Sequence, residues 1–420
     1  MAKLYTLKNG INFIIDSRKG FETVSIVLNV RYGSLYESMH TNGSAHFLEH
    51  MLFKGTKKRT WKDISNQTRT LGIYSNASTD FEATNYIMRA YKDYAKSAFD
   101  ILSDMLINST LPIDEFEKER GAIINENLIF ENNPRNFGYE YLPRALYDKY
   151  PAKMPIGGDN EHTIKHITRE HLNNIYLDAY VPKNLTLTVY GGISESAALS
   201  YAKRYFGVFE RVGERKTDII CKEPQRKNQK SFKRAGVTQS RIAIGFKCKG
   251  ASQMPLEEYI ALIIADKLLN NLVYDEIRER NGLSYDPSGA CNMWRGFGFI
   301  CMDAGVEPKD MDKAKSIMLK IITDAHNQNV LDSEVMRAKN QAFIQYKTAI
   351  ESTLTTAIAT SEMYALSADP NRFGKMAKFI KNTKNKKVLQ TLSEYLDPNN
   401  YVQVTLSPKK NAHAEKTVEE

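Results

Sequence analysis

A short stretch of the chain carries two histidines and a glutamate at a spacing that suits metal chemistry. His46, Glu49 and His50 form the pattern H-x-x-E-H within residues 43–56. Residues four apart share one face of a helix, so both imidazoles could bind one metal ion while the glutamate flanks it. The plainer alternative is a pair of hydrogen-bonded histidines near a surface glutamate. The chain has only 8 histidines, which makes a chance pattern uncommon, so we predict a metal site with a base beside it.

The residues around this pattern predict a partly buried helix. Asn42, Gly43 and Ser44 offer turn and N-cap chemistry, and Gly55 lies where a helix would end. The positions away from the histidines are apolar: Ala45, Phe47, Leu48, Met51 and Leu52.

A catalytic zinc ion commonly takes two histidines and one carboxylate and keeps a fourth position for water. A second helix is predicted to begin near Pro112 and to run to about Asn132. It carries Glu119 and Glu126, which are two helical turns apart and therefore lie on one face. Either could bind the ion while the other orients it or a histidine. Two such glutamates more often form a solvated face, so the residues alone leave their roles open.

The order H-x-x-E-H, with a glutamate 76 positions after the second histidine, resembles the inverzincin peptidases of the pitrilysin and insulinase type, family M16. Within that family the chain is most similar to the short-subunit group of processing peptidases. The resemblance implies that His46, His50 and Glu126 bind one zinc ion per chain. It also implies that Glu49 is the general base and that Glu119 supports the site. The protein would then be a zinc metalloendopeptidase.

Two further stretches resemble substrate-binding segments of the family. Asn76 and Ala77 begin the sequence N-A-S-T, which is similar to the strand that binds the substrate backbone. Arg278 and Tyr285 begin and end the sequence R-E-R-N-G-L-S-Y, similar to a motif that holds the substrate near the scissile bond. Without the resemblance, these last two would be interpreted as a surface arginine and a core tyrosine.

The length of 420 residues is too great for one ordinary hydrophobic core. We predict an α+β protein with two homologous domains, each a mostly antiparallel sheet packed with helices, joined by a linker. The expected divisions are a catalytic zinc-binding domain at 1–210, a basic linker at 211–235, a metal-free domain at 236–409 and a polar tail at 410–420. Residues 24–32 alternate in polarity and are predicted to form a strand with one buried face.

An internal repeat supports two related halves. The segment at 176–189 is echoed at 395–405, with Y-L-D opening both. When the two halves are aligned on each other, Ala338 falls opposite Glu119 and Gln345 falls opposite Glu126. The second half is therefore predicted to copy the fold without the metal site.

Composition excludes several classes of protein. The net charge of +9 is scattered apart from residues 211–234, where Phe232 is the one aromatic residue, so a nucleic-acid partner is not expected. The longest apolar run near the middle stops at Asp266, short of the roughly 20 residues of a membrane span. The amino terminus has no apolar export segment. The four cysteines have no C-x-x-C spacing and are expected to be reduced thiols. A cytoplasmic protein without membrane association is predicted.

The family resemblance also bears on substrate and partners. It implies that peptides or unfolded segments are cut in a closed chamber, formed by a homodimer or by a heterodimer with a related subunit. The alternative is a non-catalytic or partner-dependent subunit of a processing-peptidase-like complex. Every metal position is filled, which favours the enzyme. Residues 270–272 lack the Gly-rich loop of the family's inactive partners, and the choice of partner stays open.

Overall fold

Two β-sheets organise the computed structural model, which describes residues 1–234, 237 and 239–409. The chain divides into two units, each assembled from three stretches of sequence. Unit 1 consists of Met1–Leu128, Met154–Ile219 and Gln345–Met376. Unit 2 consists of Ile129–Lys153, Ile220–Ile344 and the described residues from Ala377 onward. The predicted domain boundaries remain a prediction, and the predicted tail at 410–420 lies outside the described residues.

The sheet of unit 1 has six strands in the order β1-β2-β6-β3-β5-β4. The strands are β1 (Lys3–Thr6), β2 (Asn12–Ser17), β3 (Thr23–Val30), β4 (Tyr74–Thr79), β5 (Thr84–Tyr91) and β6 (Leu185–Gly191). All neighbours are antiparallel except β2 and β6, which are parallel. Strand β4 therefore lies at one edge of the sheet.

Strand β3 differs from its prediction, because every residue after Thr23 is buried. Helix α11 (Thr353–Ser367) covers its second face. Val27 packs in one apolar cluster with Ala357, and the Ser25 hydroxyl donates to Oγ1 of Thr353 at 3.0 Å. The prediction of a strand with one buried face is wrong here, since a helix from far along the sequence completes the burial.

Helices cover the other face of this sheet, and their apolar residues join those of the strands in one core. The helices that lie wholly or mainly in unit 1 are α1 (Ser44–Leu52), α2 (Trp61–Thr70), α3 (Ala95–Asn108), α4 (Ile113–Asn132), α6 (Arg169–Ala179), α7 (Glu195–Tyr201) and α11. Both helices predicted to carry the metal site, α1 and α4, are confirmed as helices.

The sheet of unit 2 repeats the strand arrangement with five strands in the order β7-β11-β8-β10-β9. They are β7 (Asn228–Arg234), β8 (Ser240–Cys248), β9 (Ser288–Met293), β10 (Gly298–Val306) and β11 (Val402–Pro408). Only β7 and β11 are parallel. The remaining helices are α5 (Phe137–Leu146), α8 (Leu256–Val273), α9 (Met311–His326), α10 (Asp332–Ala349), α12 (Arg372–Asn382) and α13 (Asn385–Tyr395). The predicted α+β class with two largely antiparallel sheets is confirmed. No described helix combines the length and apolar character that a bilayer span requires.

Part of the segment predicted as a linker is ordered secondary structure, because strand β7 lies within it. Just before that strand, the carboxylate of Glu223 accepts backbone N–H groups from Asp148, Lys149 and Tyr150 at 2.9, 2.8 and 2.6 Å. Partial burial of Glu223 would raise its pKa, but these donors lower it to about 2. All of these residues belong to unit 2, so Glu223 anchors the segment within that unit.

Glu223→Ala should lower the free energy of unfolding by about 1–3 kcal/mol at pH 7, because three backbone donors lose a charged acceptor. A folded-state pKa below the ordinary 4.5 means that this contribution is present above pH 4.5 and is lost as the pH falls toward 2. Urea unfolding at pH 7 and at pH 3 measures both effects. The exposed Glu210 gives the control Glu210→Ala, and equal unfolding midpoints for the two variants would contradict the prediction.

Candidate metal centre

Helices α1 and α4 pack directly against each other in unit 1. Phe47 of α1 is fully buried and stacks on Phe116 of α4, with ring centroids 4.7 Å apart. Such a pair adds about 0.5–1.5 kcal/mol to the gain from burial alone. The two helices that carry the predicted site residues are therefore held together by their own apolar contacts.

The start of α1 is capped by a residue that the sequence analysis did not identify. Asn42, Gly43 and Ser44 were predicted to supply turn and N-cap chemistry, and the N-cap is Gly43, with φ +92° and no side-chain hydrogen bond of its own. The carboxylate of Glu37 instead accepts the backbone N–H groups of Gly43 and Ala45 at 2.7 and 2.6 Å. Glu37 could not be identified as a cap from the sequence, because it precedes the positions at which a helix cap is normally found.

The three residues predicted to be zinc ligands converge on one point. Nε2 of His46 and Nε2 of His50 are 3.2 Å apart. The Glu126 carboxylate lies 3.8 Å from Nε2 of His46 and 3.4 Å from Nε2 of His50. Within the described part of the chain, these residues form the sole group of three histidine, cysteine or acidic side chains close enough to hold a metal ion. Their role as ligands remains a prediction.

The arrangement of these donor atoms fits zinc. Tetrahedral zinc with bonds of about 2.0–2.1 Å places its ligand atoms roughly 3.3 Å from one another. The separations of 3.2, 3.4 and 3.8 Å between the two Nε2 atoms and the carboxylate oxygens bracket that value. The donor set of two imidazoles and one carboxylate is also one that catalytic zinc uses.

Glu119 contacts the ring nitrogen of His50 that does not face the other two predicted ligands. One carboxylate oxygen is 3.1 Å from Nδ1 of His50, and the other is 2.5 Å from Nζ of Lys54. Burial would raise the pKa of Glu119, but its bonds to His50 and Lys54 hold the pKa below the ordinary value. With Nδ1 engaged in this way, Nε2 of His50 faces the other two predicted ligands. Lys54 was not predicted, although it follows His50 by one helical turn.

The electrostatic environment of the two histidines favours one positive charge between them. Burial and the neighbouring His50 lower the pKa of His46 to about 4. Burial would also lower the pKa of His50, but hydrogen bonds with Glu119 and Glu126 raise it to about 9. The carboxylates that stabilise a proton on this pair would equally attract a divalent cation.

Glu49 is 7% exposed and lies on the same helix between the histidines. Burial raises its pKa, while a hydrogen bond from the Thr79 hydroxyl at 2.5 Å opposes that rise. Thr79 is the last residue of β4, the edge strand that also contains Asn76 and Ala77. In the described chain, no strand pairs with the outer edge of β4. The predicted base and the predicted peptide-binding strand are thus joined by a direct contact.

Arg278 and Tyr285 lie in unit 2, whereas the other predicted site residues lie in unit 1. The Arg278 side chain donates to the backbone carbonyl of Tyr285 at 2.9 Å, and its guanidinium lies 4.4 Å from the centroid of the Tyr285 ring. Tyr285 is 72% exposed. The alternative interpretation of Tyr285 as a core residue is therefore wrong, and the two side chains form one surface pair.

Two models of a single peptidase family match consecutive parts of the chain. The model described as Insulinase (Peptidase family M16) matches residues 13–160, and the model described as Peptidase M16 inactive domain matches residues 166–342. The chain belongs to the M16 peptidase family. The first match contains every predicted zinc ligand, and the model named for an inactive domain covers much of the half predicted to lack metal.

Individual M16 relatives agree with this assignment. The uncharacterized zinc protease YmxG of Bacillus subtilis is 25% identical over 84% of this chain and 85% of its own length. The mitochondrial-processing peptidase subunit beta of Bos taurus is 34% identical, over 53% of this chain and 45% of that subunit. A protease from Helicobacter pylori shares the fold, with a TM-score of 0.89 at 20% identity over 97% of this chain and 99% of that one. The family and the names of these relatives support a peptidase-type function.

Proposed function

We propose that this protein is a zinc-dependent endopeptidase that hydrolyses peptides or unfolded segments of proteins. The observation that carries the proposal is the convergence of His46, His50 and Glu126 beside the buried carboxylate of Glu49. Two histidines with a purely structural role would not need three carboxylates around them. Here Glu119 and Glu126 of α4 contact the pair, and the buried Glu49 is the third. The membership in a peptidase family supports the same conclusion.

The roles of the chain's own residues follow from their positions. Zinc held by His46, His50 and Glu126 would polarise the scissile carbonyl and acidify a water molecule. Glu49 accepts the proton of the attacking water and passes it to the leaving amine. Glu119 keeps the His50 ring in the orientation that presents Nε2 to the site.

Strand β4 is the proposed binding surface for the substrate backbone. Its outer edge can accept an extended peptide as a further strand, with Asn76 and Ala77 contributing their backbone groups. Such binding depends little on substrate sequence and requires an extended chain, which suits peptides and unfolded segments. Arg278 and Tyr285 are proposed to donate hydrogen bonds to the substrate or to the developing oxyanion.

A second candidate is a partner-dependent subunit, in which this chain binds zinc but cleaves only beside a related chain. Two observations favour this second candidate. One relative is named as a subunit of a processing peptidase, and the model matching residues 166–342 is named for an inactive domain. In this case a heterodimer would be the active form, whereas a homodimer suffices for the first candidate.

The test uses the purified full-length chain, a mixed library of quenched peptides and metal analysis. We expect about one zinc ion per chain, cleavage by the chain alone, loss of cleavage after chelation and recovery when zinc is returned. Zinc binding without cleavage under any of these conditions would favour the partner-dependent subunit. A chain that binds no zinc at all would overturn the proposal.

Lys54→Met should reduce kcat/KM by about 3- to 10-fold, which corresponds to losing about 1 kcal/mol from a partly buried charge-assisted contact. Without the ammonium group, Glu119 keeps one partner only and holds His50 less rigidly. Steady-state hydrolysis of a quenched peptide gives the measurement. Lys58 is exposed, so Lys58→Met is the control and should match the wild type. An unchanged kcat/KM for Lys54→Met would show that Glu119 orients His50 without help.

A further inference from the structure

The loop at residues 155–160, in unit 1, contacts the start of α1 on one side and the middle of α4 on the other. On the α1 side, the contact is between backbones. A Cβ atom on Gly43 would lie 2.8 Å from the carbonyl oxygen of Gly157, and one on Gly158 would lie 2.8 Å from Cα of Gly43. Gly43 and Gly158 also have φ values of +92° and +79°, a region that favours glycine. The loop and the helix start can approach this closely only because Gly43 and Gly158 have no side chain.

On the α4 side, the side chain of Asn127 contacts the loop. Its amide nitrogen lies 2.9 Å from the carbonyl oxygen of Gly157, 3.3 Å from that of Gly158 and 2.9 Å from Oδ1 of Asn160. Asn160 donates in turn to the carbonyl of Ile124 on α4 at 3.2 Å. Asn127 is 9% exposed, so its amide would be costly to bury without these partners.

The start of α1 is held to the same loop by a second contact. The Asn42 amide donates to the Pro155 carbonyl at 2.9 Å and to Glu37 at 3.0 Å. Glu37 is the carboxylate that accepts the N–H groups of Gly43 and Ala45. The first turn of α1 is therefore fixed one residue before His46, while the loop is fixed to α4 one residue after Glu126.

Glu126 itself has little else to position it. Its side chain is 55% exposed, and among the charged groups of the described residues its contacts within 4 Å are with the two histidines. Its placement must then follow from where the backbone of α4 lies relative to α1. Metal coordination tolerates errors of only about 0.2 Å in ligand distance. A direct connection between the backbones of α1 and α4 next to the ligands would keep the ligand distances within that limit.

We propose that Asn127 is a positioning residue that sets Glu126 against the histidine pair, by binding the 155–160 loop that also packs on the start of α1. The inference deepens the proposed function and rests on zinc binding by His46, His50 and Glu126. Asn127 touches neither the metal nor the substrate, and it acts through the neighbouring glutamate.

The test compares Asn127→Ala with Asn125→Ala in the full-length chain. Asn125 is an exposed asparagine on the same helix. We expect the zinc dissociation constant of Asn127→Ala, measured by chelator competition, to rise about 10- to 100-fold, while that of Asn125→Ala equals the wild-type value. The visible absorption spectrum of Co²⁺ bound in place of zinc should change in Asn127→Ala alone. A purely structural role would lower the melting temperature without altering the spectrum of the folded, cobalt-bound protein.

A third variant, Asn160→Ala, keeps Asn127 but removes one of its partners and the bond to Ile124. It should also raise the zinc dissociation constant. If Asn127→Ala does not fold, Asn160→Ala provides the test. Wild-type affinity and an unchanged cobalt spectrum in these variants would overturn the inference while leaving the proposed function intact. Absence of zinc binding by the wild-type chain would overturn both.

Discussion

Replacing Glu49 with glutamine should abolish peptide hydrolysis while the chain keeps its zinc. Glu49 is 7% exposed, and it accepts a hydrogen bond from Thr79 at 2.5 Å. Glutamine has nearly the same size and can accept that bond through its amide oxygen, but it cannot take up a proton at neutral pH. A positioned general base contributes about 10²- to 10⁴-fold to the rate, so kcat/KM should fall by about 100-fold or more.

Steady-state hydrolysis of a quenched peptide and metal analysis of the same sample check this expectation. The control is Glu22→Gln, because Glu22 is an exposed residue whose contact is a surface ion pair with Lys92. This control should retain both wild-type hydrolysis and zinc. If Glu49→Gln kept about a tenth or more of the wild-type kcat/KM with a full complement of zinc, another group would have to be the base.

The placement of the two histidines and of Glu49 on one helix could be predicted from the sequence because the pattern is local. Their spacing alone places His46 and His50 on one face, and α1 indeed runs from Ser44 to Leu52. The same reasoning located α4, which begins at Ile113 and ends at Asn132. Local periodicity is sufficient for such elements, since it reports which residues of one helix lie together.

The different positions of the two glutamates relative to His50 could not be derived from the residues. Glu119 and Glu126 lie on the same face of α4, so helical spacing treats them alike. What distinguishes them is the way α4 lies against α1, which depends on contacts such as the stack of Phe47 on Phe116. Only in the folded chain does Glu119 meet Nδ1 of His50 while Glu126 approaches Nε2. The family resemblance assigned the two glutamates different roles, which stay predictions, whereas the periodicity of the helix did not distinguish them.

Contacts that lie outside the reach of helix and strand periodicity account for the other differences from prediction. Strand β3 is buried on both faces because Ala357 and Thr353 of α11 reach it across more than three hundred residues. The cap of α1 comes from Glu37, and the second anchor of Glu119 is Lys54. In each of these contacts, the partner of a charged or small side chain depends on the tertiary structure. Neither composition nor spacing could therefore identify the partner.

Glu126→Gln is expected to have the opposite signature from Glu49→Gln, with zinc lost together with activity. Both histidines can bind zinc only as neutral imidazoles, so Glu126 supplies the negative charge among the three predicted ligands. An amide has much weaker affinity for the ion, and the zinc dissociation constant should rise by roughly 100-fold or more, beyond the 10- to 100-fold effects of residues that only support a ligand. Chelator competition measures this value, and Glu131→Gln near the end of the same helix is the control.

Glu119→Gln separates the two carboxylates of α4. Because Glu119 contacts Nδ1 of His50 rather than the point on which the Nε2 atoms converge, its loss should weaken zinc binding by only about 10- to 100-fold. Zinc should therefore still be retained when it is supplied in excess, whereas Glu126→Gln should lose it at that concentration. If Glu119→Gln released zinc and Glu126→Gln retained it, the ligand would be Glu119. The packing of α4 on α1 would then have to differ by about one or two helical turns from the arrangement described above.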